Sequence, residues 1–154
     1  MQKKYLNMKT NVIKIFSLCT IVMFTFSCKT SATTDPSNLP KDISERPADE
    51  DSQKYDQAQL DQLKSSIDAE IAKEKCNNAT EWAFSPIGAK ACGGPIGYIA
   101  YPKKIEESIL VKIEDFKTKM TDYNKKYNIT SDCMMAAEPT SVKCQNGKAV
   151  LVYQ

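Results

Sequence analysis

The chain has 154 residues, of which 42% are hydrophobic and 26% are charged, and it contains six cysteines but no histidine. Residues 1–27 contribute four lysines to the formal net charge of +2, and the remainder carries 17 basic and 19 acidic residues. Residues 55–154 have no arginine and no net charge. Nucleic acid, which is bound through clustered Lys and Arg, is therefore excluded as a partner.

Residues 1–27 have the pattern of a secretory signal peptide. Lysines at positions 3, 4, 9 and 14 precede the uncharged run 15–26, and the pattern holds whether the chain starts at Met1 or at Met8. The run is shorter than the roughly 20 apolar residues that a membrane span needs. We therefore expect this segment to direct export and then to be removed.

The end of this segment, F-T-F-S-C-K, resembles the lipobox of bacterial lipoproteins. Ser27 occupies the small position before cleavage and Cys28 that of the lipidated cysteine, whereas Thr25 replaces the usual aliphatic residue. The resemblance implies that Cys28 carries lipid and anchors the protein to a membrane without spanning it. We expect attachment to the bacterial outer membrane, facing the periplasm or the exterior.

After Cys28 the composition predicts a tether and then one domain. Residues 29–54 hold three prolines and only two large aliphatic residues, too few to offset the entropy of ordering the segment. We therefore predict a lipidated cysteine and disordered tether over residues 28–54. The remaining residues, 55–154, suffice for a single small domain.

Two stretches of this domain have the apolar spacing of helices. Over residues 56–75 the stripe is Leu60, Leu63, Ile67 and Ile71, with polar side chains opposite. Residues 103–128 carry a longer stripe, for which core packing is favoured over partner binding. That stripe comprises Ile105, Ile109, Ile113, Phe116, Met120, Tyr123 and Tyr127.

Strand patterns account for much of the rest. W-A-F from Trp82 and Y-I-A-Y from Tyr98 have the composition of short strands. Asn146-Gly147 predicts a two-residue hairpin turn that pairs Cys144 with Ala149 and Val142 with Leu151. Glu138-Pro139 suggests an earlier turn that returns residues 132–137 as a third strand. One face of this meander should then pack on the helices, through Cys133, Met135, Val142, Cys144, Ala149, Leu151 and Tyr153.

The predicted fold class is therefore α+β. Two amphipathic helices pack on a small antiparallel sheet with a C-terminal β-meander, and two disulfides staple the domain. Cys19 lies in the leader and Cys28 at the lipidation site. Because the domain is expected to be exported, we expect the other four cysteines to form disulfides: Cys76, Cys92, Cys133 and Cys144. Three pairings exist, and the meander favours Cys133 with Cys144 and Cys76 with Cys92. We expect no metal and no cofactor, because the chain lacks both C-x-x-C spacing and histidine.

Four of the five glycines lie in G-A-K-A-C-G-G-P-I-G-Y, residues 88–98. The G-x-K-x-C-G-G-P core, an upstream Trp, tyrosines after the core and a late S-D-C resemble a group of small exported bacterial lipoproteins of unknown function. The resemblance covers Cys76 to the C-terminus and implies export and disulfides. It implies no catalytic residue.

Two interpretations of this loop remain open. In the first, Gly93, Gly94 and Pro95 form a tight corner that serves the fold. In the second, the loop is a rigid inhibitor-like segment with Lys90 protruding and with Tyr98 and Tyr101 beside the contact.

We expect a binding protein and not an enzyme, since the commonest general base is missing and no nucleophile motif occurs. The sharpest version is a lipid-anchored extracytoplasmic module that binds a protein partner and inhibits a protease or another hydrolase. The alternative is a structural or assembly lipoprotein of the envelope that docks on an outer-membrane complex.

Overall fold

The computed structural model describes residues 42–154. The predicted signal peptide, Cys28 with its lipid, and residues 29–41 of the predicted tether lie outside the described residues.

Two helices form one layer of the fold. Helix α1 (Glu50–Ile71) begins where the Asp49 carboxylate accepts a hydrogen bond from the Ser52 N–H at 2.7 Å. Helix α2 (Glu106–Lys126) follows a single 3₁₀ turn, Lys103–Ile105, which begins directly after Pro102. Neither helix is long and apolar enough to cross a membrane.

Both predicted apolar stripes are confirmed as the faces on which the helices pack. On α1, Leu60 and Ile67 are almost completely buried, and Leu63 and Ile71 pack at the edge of the core. The second predicted stripe packs on the core throughout, on α2 and at the residues that flank it, Ile105 and Tyr127. The buried cluster consists of Leu60, Ile67, Ile87, Tyr101, Ile109, Ile113, Phe116 and Tyr123.

The second layer contains two antiparallel hairpins. Strands β1 (Trp82–Ile87) and β2 (Gly97–Pro102) pair from Trp82 opposite Pro102 to Ile87 opposite Gly97. Both strands were predicted. Each extends beyond the short segment on which its prediction rested. Ile87 and Tyr101 extend from this hairpin into the cluster on the helices.

The C-terminal hairpin consists of β3 (Ser141–Gln145) and β4 (Lys148–Val152). Its turn residues Asn146 and Gly147 have φ of 53° and 73°, and Cys144 lies opposite Ala149 as predicted. The two hairpins are separate sheets, so the fold is an α+β arrangement of two helices and two small sheets.

The predicted third strand of a meander is wrong. Residues 131–139 form no strand, because the start of this segment is held at the glycine-rich loop and cannot return along β3. The main contacts of the C-terminal hairpin are with β1 and β2. Met135 and Tyr153, predicted on the buried face, are 95% and 49% exposed.

The favoured disulfide pairing is also wrong, because the bond present joins Cys76 to Cys144. The chain leaving α1 runs beside the C-terminal turn, where the Cys76 N–H donates to the Gly147 carbonyl at 2.9 Å. The cysteines are 68 residues apart, a loop for which chain entropy predicts a stabilisation of about 4 kcal/mol. The bond ties the N-terminal helix to the last hairpin.

The ordered domain begins before the predicted boundary at residue 55. Residues 50–54 are the first turns of α1, and Ile43 and Arg46 upstream are 6% and 7% exposed. Arg46 pairs with the fully buried Asp56, which also accepts hydrogen bonds from Lys126 at 3.0 Å and from the Tyr127 hydroxyl at 2.7 Å. The composition of 42–54 is that of a tether, but this buried ion pair holds the segment on the fold.

Candidate binding site at the glycine corner

Residues 88–96, which we call the glycine corner, join β1 to β2 in a compact hydrogen-bonded turn. The Lys90 N–H donates to the Gly94 carbonyl at 2.9 Å, and the Gly93 N–H donates to the Lys90 carbonyl at 3.0 Å. Gly93 and Gly94 have φ of 98° and 76°, which side chains with a Cβ rarely adopt. The prediction of a tight corner is therefore confirmed for this part of the loop.

The corner is fastened to α2 through its first residues. The Asn124 amide donates to the Ala89 carbonyl at 2.8 Å, and the Ala89 N–H lies 3.2 Å from Met120 Sδ. Gly88 has φ of 67°, and a Cβ there would come within 2.7 Å of the Ile96 side chain. These contacts leave little freedom for the corner to move away from the helix.

Lys90 does not protrude, in contrast to the inhibitor-like prediction. Its ammonium lies 2.5 Å from Asp132 Oδ1 and 2.6 Å from the Met134 carbonyl oxygen, and its side chain is 16% exposed. The ion pair with Lys90 holds the pKa of Asp132 below its ordinary value. Lys90 therefore links the corner to the chain that follows α2.

The two tyrosines do not form a contact surface with Lys90 either. Tyr101 is buried in the core, and its hydroxyl donates to Glu106 Oε1 at 2.8 Å. Burial, with the Glu106 carboxylate second, raises the pKa of Tyr101 to about 12. Tyr98 is half-buried and packs edge-on against Phe84, with ring centroids 6.2 Å apart. Pro95 is half-buried at the exit of the corner.

The corner holds a second stretch of chain, residues 131–138, which we call the clamped segment. The Ser131 hydroxyl accepts a hydrogen bond from the Ala91 N–H at 3.1 Å, and Asp132 accepts from Lys90. At the other end Pro139 is buried and the Thr140 N–H donates to the Val152 carbonyl at 2.8 Å. The segment is thus fixed at both ends.

Between these anchors the clamped segment is open to solvent. Met134 is 75% exposed and Met135 is 95% exposed. Within the described residues, the main chain of 133–138 makes no hydrogen bond with other main-chain groups. The exposed methionines offer apolar contact, and a main chain without a strand partner offers strand pairing to another protein.

Cys92 and Cys133, predicted to be bonded elsewhere, face each other at the start of the clamped segment. Both are exposed free thiols. Cys92 Sγ lies 3.5 Å from Ser131 Oγ and 3.3 Å from the Asp132 carbonyl oxygen. The neighbouring Cys133 thiol, followed by the Ser131 hydroxyl, lowers the pKa of Cys92, whereas the Cys92 thiol raises the pKa of Cys133.

Sequence reasoning missed the residues that define this site. Asp132 and Ser131 belong to the S-D-C motif, which was noted only as part of a resemblance, and the Met134-Met135 pair was assigned to a strand. The signal that could have indicated an exposed binding surface was two adjacent methionines in a segment without helical periodicity.

In residues 42–154 no group of three or more metal-ligating side chains is close enough to hold an ion. No family model matches the chain, and no curated protein or solved structure is significantly similar to it.

Proposed function

We propose that the protein is an extracytoplasmic binding module that captures a protein partner on its clamped segment and performs no chemistry. The observation that carries the proposal is the state of residues 131–138: fixed at both ends, without bonds to other main-chain groups over residues 133–138, and exposing Met134 and Met135. Because the segment is already ordered, a partner would pay little entropy to bind it.

The proposed occupant is an extended peptide segment of another protein. A main chain without a strand partner can recognise an extended segment by pairing with it as a strand, and the methionine side chains supply the apolar anchors. The active-site cleft of a hydrolase is one place where a clamped segment can bind in this way. Hydrolase inhibition therefore remains the sharpest version, with Met134 and Met135 in the role that was predicted for Lys90.

The proposed location at a membrane rests on the N-terminal segment. The F-T-F-S-C sequence supports lipidation at Cys28 and attachment to an envelope membrane. Replacement of Cys28 by Ser is expected to release the protein from the membrane fraction. Continued attachment of that variant would contradict the anchor while leaving the binding proposal unaffected.

The binding proposal is tested by capture from envelope extracts with three proteins. They are the unaltered chain, a Met134→Ser/Met135→Ser variant and a control Val111→Ser. Val111 is an exposed apolar residue of α2, 68% accessible, outside the clamped segment. A partner retained by the unaltered chain and the control but lost by the double variant supports the proposal. Equal capture by all three contradicts it.

A panel of secreted proteases and lysozymes tests the inhibitor version separately. At micromolar protein, at least one enzyme is expected to be slowed, and the double methionine variant should relieve the inhibition. If no enzyme is slowed, hydrolase inhibition is dropped and the capture experiment alone decides the wider proposal.

A further inference from the structure

We infer that Cys92 and Cys133 form a second disulfide in the exported protein, and that this bond, unlike Cys76–Cys144, opens and closes by thiol–disulfide exchange. The inference rests on the position of the two thiols and on their accessibility.

The first step is proximity. Cys92 belongs to the glycine corner and Cys133 to the clamped segment, and Cys92 Sγ lies 3.3 Å from the carbonyl oxygen of Asp132, the residue before Cys133. Three other contacts hold the same two stretches together: Lys90 with Asp132, Lys90 with the Met134 carbonyl, and Ala91 with Ser131. Closing the bond brings the two sulfurs to about 2.05 Å.

The second step is the contrast with the bond already present. Cys76 is 2% exposed and Cys144 is half-buried, so a dissolved thiol reaches this bond less readily than one between two exposed cysteines. Cys92 and Cys133 are both exposed. Exposed disulfides are the ones that exchange readily, whereas buried ones are inert.

The third step is an order of reaction. Cys92 Sγ lies 3.5 Å from the Ser131 hydroxyl oxygen, and the pKa of Cys92 is lowered, so Cys92 supplies the thiolate that reacts first. The Cys92 thiolate attacks one sulfur of a small-molecule disulfide, forms a mixed disulfide and releases one thiolate. The Cys133 thiolate then attacks Cys92 Sγ and displaces the second thiolate. The two leaving groups take up the two protons of the protein thiols, and two electrons pass from the protein to the oxidant.

Formation of this bond would reduce the mobility of the clamped segment. The effect on partner binding rests on the proposed function. With the bond formed, the segment is linked covalently to the corner a residue before Met134. With the bond open, only non-covalent contacts hold this end: the Lys90–Asp132 pair and the hydrogen bonds at Ser131 and at the Met134 carbonyl. The reduced protein should therefore present its methionines on a looser chain and bind a partner more weakly.

The test is a thiol map of the full chain in glutathione buffers that range from oxidised to reduced, quenched with acid, alkylated and analysed by peptide mass spectrometry. Oxidising buffer should give a linked peptide pair containing Cys92 and Cys133. As reduced glutathione increases, both should become alkylated while Cys76 and Cys144 remain linked. Alkylation of Cys92 and Cys133 in every buffer, or opening of both disulfides at the same ratio, would overturn the inference.

Two variants test the order of reaction. With Cys133→Ser, a mixed disulfide of glutathione on Cys92 should accumulate, because the thiol that resolves it is missing. With Cys92→Ser, modification of Cys133 should be slower. An intact Cys76–Cys144 link in each variant shows that the fold has survived. Equal rates in the two variants would contradict the assignment of Cys92 as the first sulfur. None of these readouts depends on a partner, so their failure is distinguishable from failure of the binding proposal.

Discussion

Lys90 and Asp132, 42 residues apart in the chain, form an ion pair of 2.5 Å that joins the glycine corner to the clamped segment. Lys90 is the side chain that we predicted to protrude from the loop. The corner therefore faces the chain that follows α2, and the exposed methionines, Met134 and Met135, belong to that neighbouring chain.

Replacement of Asp132 by Asn should loosen the clamped segment without unfolding the domain. The Lys90 ammonium would keep its bond to the Met134 carbonyl but lose its ionic partner, and Asp132 is 69% exposed, so global stability should change little. Backbone NMR order parameters are expected to fall in residues 131–138 alone. Asp115→Asn, which removes an exposed pair with Lys119 on α2, is the control. Unchanged order parameters in the segment would show that the pair does not hold it.

Gly88 is predicted to be the glycine least tolerant of a side chain. An alanine there would combine φ of 67° with a contact of 2.7 Å to Ile96, and such backbone strain alone costs about 1–3 kcal/mol. Gly97→Ala is the matched control, because it has open space around its Cβ position and no positive φ. Urea unfolding should show a clear loss for Gly88→Ala and little change for Gly97→Ala. Equal values for the two variants would contradict this view of the corner.

Asp56→Asn should destabilise the domain strongly. The carboxylate is fully buried between Arg46 and Lys126, and loss of one partner of a buried ion pair typically costs 3–5 kcal/mol. Asp61→Asn, on an exposed turn of the same helix, should stay within about 0.5 kcal/mol of the unaltered chain. Denaturant unfolding of the two variants gives the comparison. A small effect at Asp56 would mean that residues 42–49 are not part of the folded unit.

The pKa of Tyr101 predicts a late event in alkaline titration. Its folded pKa of about 12 lies above the ordinary value of 10.0, so the stability that the protonated phenol contributes is complete below pH 10 and is lost as the pH rises towards 12. Subtracting the ultraviolet tyrosinate titration of Tyr101→Phe from that of the unaltered protein should leave a transition near pH 12. A difference that titrates near pH 10 would show that the phenol is not held by burial and Glu106.

Features set by local physics were predictable from the sequence. The stripe containing Ile109 and Ile113 repeats with the helical period, and Asn146-Gly147 requires a turn that few other residues accept. Each needs only a few neighbouring residues to be recognised. Both predictions are confirmed with their register.

Features set by distant contacts were not predictable in this way. The partner of Cys76 depends on where the chain lies after α1, beside a turn about 70 residues later. The position of Lys90 depends on Asp132, and the order of residues 42–54 depends on a buried pair between Arg46 and Asp56. A clue was present in Arg46, because a lone arginine in a polar stretch suggests a specific partner.

The central claim is that the clamped segment is the surface that meets a partner, and site-specific photo-crosslinking in intact cells tests it most directly. A benzoylphenylalanine introduced at Met135 should give a discrete adduct with another protein, and the same group at Val111 should give none. The adduct should also weaken when Asp132 is replaced by Asn. Adducts from Val111 and none from Met135 would contradict the account.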